Sequence, residues 1–326
     1  MIRYLGQRVL QAVAVLWAAF TISFGVLFLL PSDPVSLAVD SAGSGTPVDA
    51  AAVAELQARY GLDQPVWVQY WHSLSGAVQG DFGLSIATGQ PVTTAILDAV
   101  PSTLGLAGTA LVLAVVFGSA LAYAATYTRT PWLENLLFAL PPLGVAVPTF
   151  WVGLLLLQLF SFQLRWFPAF GDAGAAALVL PAVTLALPTG AVIAQVLATS
   201  MSTTWKQPFV DVARAKGVSR LRVQTRHIAR LSSIPAFTIA GVLVGTLLAG
   251  SVVVETVFSR AGVGRLTQTS VLAQDIPVVQ GIVVLTSLVF VVVNLAVDLL
   301  YPLIDPRIVR EYKPARAVAE PEKAHV

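Results

Sequence analysis

Six stretches of the sequence contain no Asp, Glu, Lys, Arg or His and are mostly apolar. Each is longer than the about 20 residues that a helix needs to cross the hydrocarbon core of a bilayer. They span residues 9–32, 99–128, 135–164, 173–205, 231–254 and 276–297. The strands of a membrane β-barrel would instead alternate over segments of about ten residues. The sequence therefore predicts an all-α polytopic membrane protein with six transmembrane helices.

The composition agrees with a membrane location and excludes several kinds of chemistry. Hydrophobic residues make up 56% of the 326 residues and charged residues 11%, whereas about a quarter of a soluble domain is charged. The formal net charge of +2 is too small to favour a nucleic-acid partner. Because the chain contains no cysteine, disulfides, thiolate metal sites and a cysteine nucleophile are excluded.

The distribution of Lys and Arg predicts the orientation of the chain in the membrane. If the N-terminus is inside, the inner segments are 1–8, 129–134, 205–230 and 301–326, and they contain 15 of the 19 basic residues. Basic residues are retained on the cytoplasmic side, so both termini are expected in the cytoplasm (N-in/C-in). The first apolar run is longer than the apolar part of a cleaved signal peptide, which favours an uncleaved first helix.

The longest polar stretch, residues 32–98, lies between the first two predicted helices. It carries seven acidic residues and one Arg, and the topology makes it an external subdomain. Within it, residues 48–60 have helical spacing and Gly61 is a natural stop. The predicted organisation is an N-terminal cytoplasmic end with the first transmembrane helix, the external subdomain, a core membrane domain and a disordered cytoplasmic tail. These segments cover residues 1–31, 32–98, 99–304 and 305–326.

Proline and glycine predict how the helices bend and pack. Kinks or helix ends are expected at Pro141, Pro142, Pro148, Pro181 and Pro188, because neighbouring helices can satisfy the backbone groups that proline frees in a membrane. On the fifth helix, Gly241 and Gly245 form a GxxxG pair, with Gly250 further along. Small residues at this spacing predict close helix packing.

The sequence shows no catalytic constellation. His72 lies in the external subdomain, whereas His227 and His325 lie in inner segments, so a metal site that uses all three is excluded by the topology. There is no G-x-x-x-x-G-K-[ST] phosphate loop, and the six windows contain no cluster of carboxylates. We therefore predict a membrane protein that is not an enzyme, with no metal site and no cofactor of its own.

Three polar residues in or beside the predicted helices are candidates for a gate or pathway. Glu255 follows the fifth window, and it is either a solvated helix end or a gating residue, since a carboxylate at the bilayer centre costs about 2.5–3.5 kcal/mol. Gln195 and Asn294 lie deeper in their windows. Polar side chains at such depth face other helices or line a pathway.

Residues 205–233, the basic loop, contain seven Lys or Arg residues and one Asp between two apolar windows. Such a loop is a lipid anchor or a docking surface. The pairs Val210/Ala213 and Val218/Leu221 have helical spacing on either side of Gly217. This pattern predicts two short helices with an elbow at Gly217 and an apolar ridge that fits the groove of a partner.

Several motifs resemble one family along nearly the whole chain. They are RYLGQRVLQAV with LLPSDPV, YGLDQPVWVQYWHSL, ARAKGVSRLRVQTRHIARLSSIP, LLAGSVVVETVFSRAGVGRL and VNLAVDLLYPLIDPRI. The chain resembles the "B"-type permease subunit of dipeptide/oligopeptide binding-protein-dependent ABC importers, with the type I importer fold. The basic loop resembles the family's "EAA" coupling loop, in which Asp211-Val212 stands here for Glu-Ala. In the exit of the fifth helix, Arg260-Ala261 replaces a frequent Trp-Pro.

The resemblance implies a set of partners and site residues. The partners are a second homologous permease, two ABC ATPase subunits or domains that carry ATP and Mg, an external solute-binding protein, membrane lipid and a peptide substrate. The localisation implied is the bacterial cytoplasmic (inner) membrane. The residues implied in ATPase coupling are Asp211, Ala213, Arg214, Ala215, Lys216 and Gly217.

The substrate is open within this resemblance. Members of the branch carry dipeptides, oligopeptides, glutathione, nickel chelates and oligosaccharides, and the binding protein supplies most of the selectivity. A membrane-embedded enzyme and an ion-coupled secondary carrier are the competing classes. A carrier of this kind needs buried ionisable residues for its coupling ion, and the six windows contain none.

Overall fold

The computed structural model describes residues 2–28, 58, 61 and 63–304. Within these ranges it gives the side chains of all residues except 2–5, 28, 240 and 297–304. The expected helix over 48–60 lies outside the described residues apart from residue 58, and the expected tail lies outside them entirely. In the described part the chain is helical, with one isolated bridge between Leu84 and Pro91.

The helices follow one another with short connections. They are α1 (Ile2–Phe28), α2 (Val66–Gln79), α3 (Val92–Tyr127), α4 (Pro131–Ala146), α5 (Thr149–Leu156), α6 (Ala176–Trp205), α7 (Pro208–Ala215), α8 (Arg220–Arg222), α9 (Ala229–Val257), α10 (Val263–Leu272) and α11 (Ile276–Ile304). Two π-helical segments occur, Leu157–Gln163 after α5 and Val223–Ile228 between α8 and α9.

Four helices are long and apolar enough to cross a membrane by themselves: α1, α3, α6 and α11. Two further spans arise from bent pairs. The α4–α5 pair bends by 100°, and the helix that runs from Arg220 to Val257 bends by 44° near residue 240. Counting each bent pair as one span gives six spans in the described residues, so the predicted all-α polytopic fold class is confirmed.

Among the described helices, α3 and α6 make the most extensive contact, and glycine permits their close approach. A Cβ at Gly190 would stand 3.2 Å from the Ala114 carbonyl oxygen, and a Cβ at Gly118 would stand 2.5 Å from the Gly190 carbonyl oxygen. Between apolar helices in lipid there is little hydrophobic driving force, so close packing supplies the attraction. The Gly118–Gly190 crossing therefore holds the centre of the bundle together.

Helix α9 packs against α6 and α11 at the glycines that the sequence pattern marked. A Cβ at Gly250 would lie 2.9 Å from Leu185 of α6, and a Cβ at Gly245 would lie 3.0 Å from Phe290 of α11. Close helix packing at these two glycines is confirmed. Leu247 and Phe258, both nearly inaccessible, complete the apolar core between α3, α6 and α9.

The structure corrects several expectations about helix bounds. Helix α3 begins at Val92 rather than at residue 99, because Val92 and Ile96 pack against α11 in a small apolar core beyond the uncharged window. The segment between the fifth and sixth apolar windows contains a further helix, α10. Of the five prolines, Pro148 stands at the α4–α5 bend, whereas Pro181 and Pro188 lie inside the continuous helix α6 and Pro141 and Pro142 inside α4.

Candidate functional site: the basic loop and the Glu255 cluster

Helix α7 forms the first half of the basic loop and ends in a defined turn. Pro208 occupies its first turn, where a missing N–H costs nothing. At its C-terminus the Val218 N–H donates to the Ala213 carbonyl at 3.2 Å and the Gly217 N–H to the Arg214 carbonyl at 2.9 Å, which is a Schellman motif. Gly217 has φ +77°, a conformation that glycine adopts without strain. The predicted elbow at Gly217 is therefore present.

The apolar pair of α7 that the sequence assigned to a ridge, Val210 and Ala213, faces inward. Val210 is 2% exposed and packs with Val223, Ile228 and Met201 against the membrane helices, with Ala213 and Val218 partly buried at the edge. The residues that α7 presents outward are Asp211, Val212, Arg214 and Ala215, followed by Lys216. The predicted ridge is therefore wrong for the α7 pair, which anchors the loop to its own chain, whereas Leu221 after the elbow is exposed as expected.

After the elbow, Arg220 joins the ends of two transmembrane helices. Its guanidinium carbon lies 4.8 Å from the ring centre of Trp205, the last residue of α6, and 5.5 Å from that of Tyr127, the last residue of α3. Arg220 Nη2 donates to the Thr126 carbonyl at 3.2 Å. The second helix of the loop is not short as expected. It continues through the π-helical segment into α9.

Gln224, in the π-helical segment, makes a second connection to α3. Its Nε2 donates to the Tyr123 carbonyl at 2.8 Å and to Thr126 Oγ1 at 3.0 Å. The side chain is 1% exposed. Among the described residues, Gln224 Oε1, Arg220 Nε and Trp205 Nε1 are buried without a hydrogen-bond partner. A π-helical segment often marks a functional position in a helix.

The sequence pattern did not single out Arg220, Gln224 or Trp205. Arg220 is one of several basic residues in the loop, and Gln224 follows no helical apolar pattern. The one available signal was the position of Trp205 at the end of an apolar window beside a run of basic residues, because arginine stacks well on an indole ring.

A second polar cluster surrounds Glu255 near the end of α9. The Glu255 carboxylate is fully buried and accepts a hydrogen bond from Thr103 Oγ1 at 2.7 Å and another from the Arg265 N–H at 3.1 Å. Thr103 Oγ1 in turn accepts the Val263 N–H at 2.7 Å. The carboxylate thus lies at the N-terminus of α10, where it satisfies free N–H groups and complements the helix dipole. A Cβ at Gly262 would overlap this carboxylate.

The segment between α9 and α10 is also held by an ion pair between the buried Arg260 and the partly exposed Asp172. Arg260 Nη2 lies 2.7 Å from Asp172 Oδ1, and its Nη1 donates to the Ala177 carbonyl at 3.2 Å. Asp172 also accepts from Ser102 at 3.0 Å and from the Ala261 N–H at 2.6 Å. The segment between α9 and α10 is therefore connected to α3 through Ser102 and to the residues at and just before the start of α6 through Ala177 and Asp172.

Asp275 fixes the turn that precedes α3. Its carboxylate accepts hydrogen bonds from the Ser85 hydroxyl and from the N–H groups of Ile86 and Ala87. Asp275 is 2% exposed and directly precedes α11. No sequence pattern predicts the contacts of Asp275, Arg260 and Asp172, because their partners are distant in sequence.

Glu255, Gln195 and Asn294, the candidate gate or pathway residues, do not come together. The solvated end expected as one alternative for Glu255 is wrong, since the carboxylate is enclosed. Gln195 is exposed on α6 and, with Thr199, lines a cavity of about 140 Å³ between α3, α4 and α6. Asn294 donates to the Phe290 carbonyl of its own helix at 2.8 Å. Among the described residues, no group of three His, Asp or Glu could hold a metal ion.

These features define a class of protein: a polytopic α-helical membrane protein. It has a basic loop with solvent-exposed side chains at one end and, away from this loop, an enclosed polar cluster around Glu255. Residues 110–310 match the family described as the inner membrane component of binding-protein-dependent transport systems. Residues 1–107 match the N-terminal part of such a membrane component. The chain belongs to this family and is the permease subunit of an ABC importer, an inner-membrane protein of a bacterium.

Relatives and solved structures agree with this assignment. The chain is 38% identical to the glutathione transport system permease protein GsiC of Escherichia coli K12 over 308 residues, which is 94% of this chain and 99% of that protein. The identity to GsiC of Salmonella typhimurium is also 38% over the same shares. Two inward-facing structures of the MetNI methionine ABC transporter share the fold. The first has a TM-score of 0.51 at 15% identity and covers 64% of this chain and 95% of its own. The second has a TM-score of 0.53 at 14% identity and covers 64% of this chain and 96% of its own.

Proposed function

We propose that this permease imports glutathione, a tripeptide derivative that the sequence left as an alternative to di- and oligopeptides, or a peptide of similar size. The observation that carries the proposal is the 38% identity to a glutathione permease over nearly the full length of both chains. Nickel chelates and oligosaccharides are the alternative cargoes of the same transporter class. An ion-coupled secondary carrier is less favoured, because the most buried carboxylate, Glu255, is already engaged by Thr103 and the α10 backbone.

The proposed complex contains this chain, a second homologous permease, two ATPase subunits or domains that bind ATP and Mg, and an external solute-binding protein. Both termini and the basic loop face the cytoplasm, and residues 32–98 form the external subdomain. The excess of Lys and Arg in the inner segments supports this orientation. The same division assigns residues 99–304 to the core permease domain.

In this complex the ATPases dock on the exposed side of α7. Asp211, Arg214 and Lys216 are exposed on the same short segment as the exposed Val212, so it offers an apolar side chain together with charged ones. Ala215 allows close approach of the ATPase, the small Ala213 packs at the inner edge of α7, and Gly217 permits the tight return of the chain. The six coupling positions, Asp211, Ala213, Arg214, Ala215, Lys216 and Gly217, take the movement of the ATPases into the membrane domain.

We assign the gate to the Glu255 cluster rather than to an open polar pathway. Because the carboxylate joins α9, α10 and α3, a rearrangement of α9 has to move or break the connection to α10. Gln195 and Asn294 remain candidates for pathway lining, since both side chains reach the surface of this chain.

Copurification from native membranes tests the complex. Mass spectrometry of the complex in mild detergent is expected to find a second permease, P-loop ATPases and a solute-binding protein. Recovery of the chain alone, under conditions that preserve a control ABC complex, would contradict the proposed docking at the basic loop.

Uptake into proteoliposomes tests the cargo. The reconstituted complex with its binding protein is expected to accumulate glutathione or trialanine in an ATP-dependent way, with maltotriose and nickel–histidine as the competing probes. Uptake of maltotriose or nickel–histidine but of neither peptide would replace the peptide assignment by one of the alternatives.

A further inference from the structure

We propose that Arg220 is a positioning residue that transmits movement of α7 to α3 and α6 together. The proposal deepens the function above and rests on ATPase docking at the basic loop. Arg220 itself lies after the elbow and outside the outward face of α7. Its role is therefore to connect the docking element to the membrane helices, while other residues contact the ATPases.

The position of Arg220 is the first argument. It begins the helix that follows the Gly217 elbow, and its guanidinium lies between the last residue of α3 and the last residue of α6. Helices α3 and α6 form the central pair of the bundle. One side chain thus contacts the ends of both helices whose relative position determines the shape of the membrane domain.

The chemistry of the contact requires arginine. A planar guanidinium stacks on an indole ring while its N–H groups hydrogen-bond in the plane. Here it stacks on Trp205 and donates to the Thr126 carbonyl at 3.2 Å. That carbonyl is in the last turn of α3, where helix carbonyls lack intrahelical partners and positive charge complements the helix dipole. A lysine ammonium offers the charge without the plane.

Gln224 strengthens the connection one turn further on. It donates to the Tyr123 carbonyl and to Thr126 Oγ1, so two side chains of the same segment reach the last turns of α3. The apolar contacts of Val210 hold α7 close to the bundle, but such contacts are not directional. Hydrogen bonds have a preferred geometry, so Arg220 and Gln224 fix the direction in which the loop can move α3.

The test compares Arg220→Lys and Arg220→Met with Arg222→Met in the complete reconstituted complex. Arg222 is basic and exposed, so it controls for the loss of charge. The measurements are the amount of ATPase that copurifies, the rate of ATP hydrolysis and the substrate imported per ATP, with the peptide that the wild-type complex imports. We expect both Arg220 variants to keep ATPase binding and hydrolysis within about twofold and to lose about tenfold in import per ATP, the order expected when one cation–π contact is lost.

The partner ring provides a second comparison. Trp205→Phe is expected to keep most of the coupling, and Trp205→Leu to reproduce the loss in Arg220→Met. The double variant Arg220→Met/Trp205→Leu should be no worse than Arg220→Met, because the contact with Trp205 is already absent in that variant. Additive losses would show that the two residues act separately and would overturn the proposal.

A third measurement needs no substrate. Because the chain has no cysteine, nitroxide labels can be attached at Ser219→Cys and Arg129→Cys, two exposed positions on either side of the contact. The distance distribution should stay narrow with and without ATP in the wild type and in Arg222→Met, and broaden in Arg220→Met.

The outcomes distinguish this proposal from the one on which it rests. If Arg220→Met imports normally per ATP, or if its losses only follow the amount of assembled complex, Arg220 has a structural role alone. If the ATPases fail to copurify with the wild-type chain, the docking of ATPases is itself wrong.

Discussion

The basic loop and the Glu255 cluster are both polar, yet they differ in how far their polar groups are hydrogen-bonded within this chain. The Glu255 carboxylate is enclosed and bound by a hydroxyl and by backbone N–H groups of the same chain. The outward side chains of α7, by contrast, are exposed, and three buried polar atoms behind them lack hydrogen-bond partners in the described residues, whereas beside the Glu255 cluster Arg260 Nε is in this state. A closed cluster holds a conformation, whereas an incomplete one is suited to a partner or to movement.

The largest expected effect is a loss of stability when the Glu255 cluster is disrupted. Glu255→Ala removes the acceptor for Thr103 and for the Arg265 N–H, and leaves the buried Thr103 hydroxyl unpaired at a cost of about 1–3 kcal/mol. The apparent melting temperature of the purified complex should fall sharply, and Glu255→Gln, which keeps the shape, should fall less.

Glu134→Gln is the matched control, because Glu134 lies in the first turn of α4 at an exposed position. A melting temperature of Glu255→Ala equal to that of this control would show that the carboxylate does not hold α10 to α9.

The second largest effect is expected on helix α7, where substitutions on the buried face and on the exposed face should have different consequences. Val210 is 2% exposed and Val212 is 55% exposed, so Val210→Ala should cost about 1–2 kcal/mol of stability through lost packing, and Val212→Ala should leave the melting temperature unchanged. If α7 is the docking helix, Val212→Ala should instead weaken ATPase copurification. Loss of docking in Val210→Ala alone, at normal stability, would reverse the assignment of the two faces.

The elbow at Gly217 allows a test of coupling with a closely matched control. Gly217 and Gly174 have φ +77° and +78°, and a Cβ at either would meet no atom within 4 Å. A leucine at each should therefore cost a similar backbone strain of about 1–2 kcal/mol. We expect Gly217→Leu to insert normally and hydrolyse ATP while import is lost, and Gly174→Leu to import normally. Normal import by Gly217→Leu would remove the elbow from the coupling mechanism.

The span count was predictable because lipid imposes a length and a polarity on each helix, and the elbow was predictable because Gly217 ends a helical pattern. The inward face of α7 could not be predicted, since Val210 and Val212 are equally apolar and only the packing of Met201 and Ile228 decides between them. For the same reason Arg220 could not be separated from Arg222. Partners such as Thr103 and Glu255, or Arg260 and Asp172, are distant in sequence, so no local pattern joins them.

The smallest effect is expected at the ion pair beside the closed cluster. Arg260 and Asp172 form an ion pair at 2.7 Å with exposures of 6% and 33%, which is intermediate between a surface pair and a buried one. A double-mutant cycle with Arg260→Met and Asp172→Asn should therefore give a coupling energy of about 1 kcal/mol. Raising the salt concentration should reduce it only in part, because exposed pairs are screened more than enclosed ones. A coupling energy near zero would mean that the hydrogen bonds of Arg260 to the Ala177 carbonyl and of Asp172 to Ala261 N–H hold this segment without the charge pair. The closed character of the region would then depend on backbone hydrogen bonds alone.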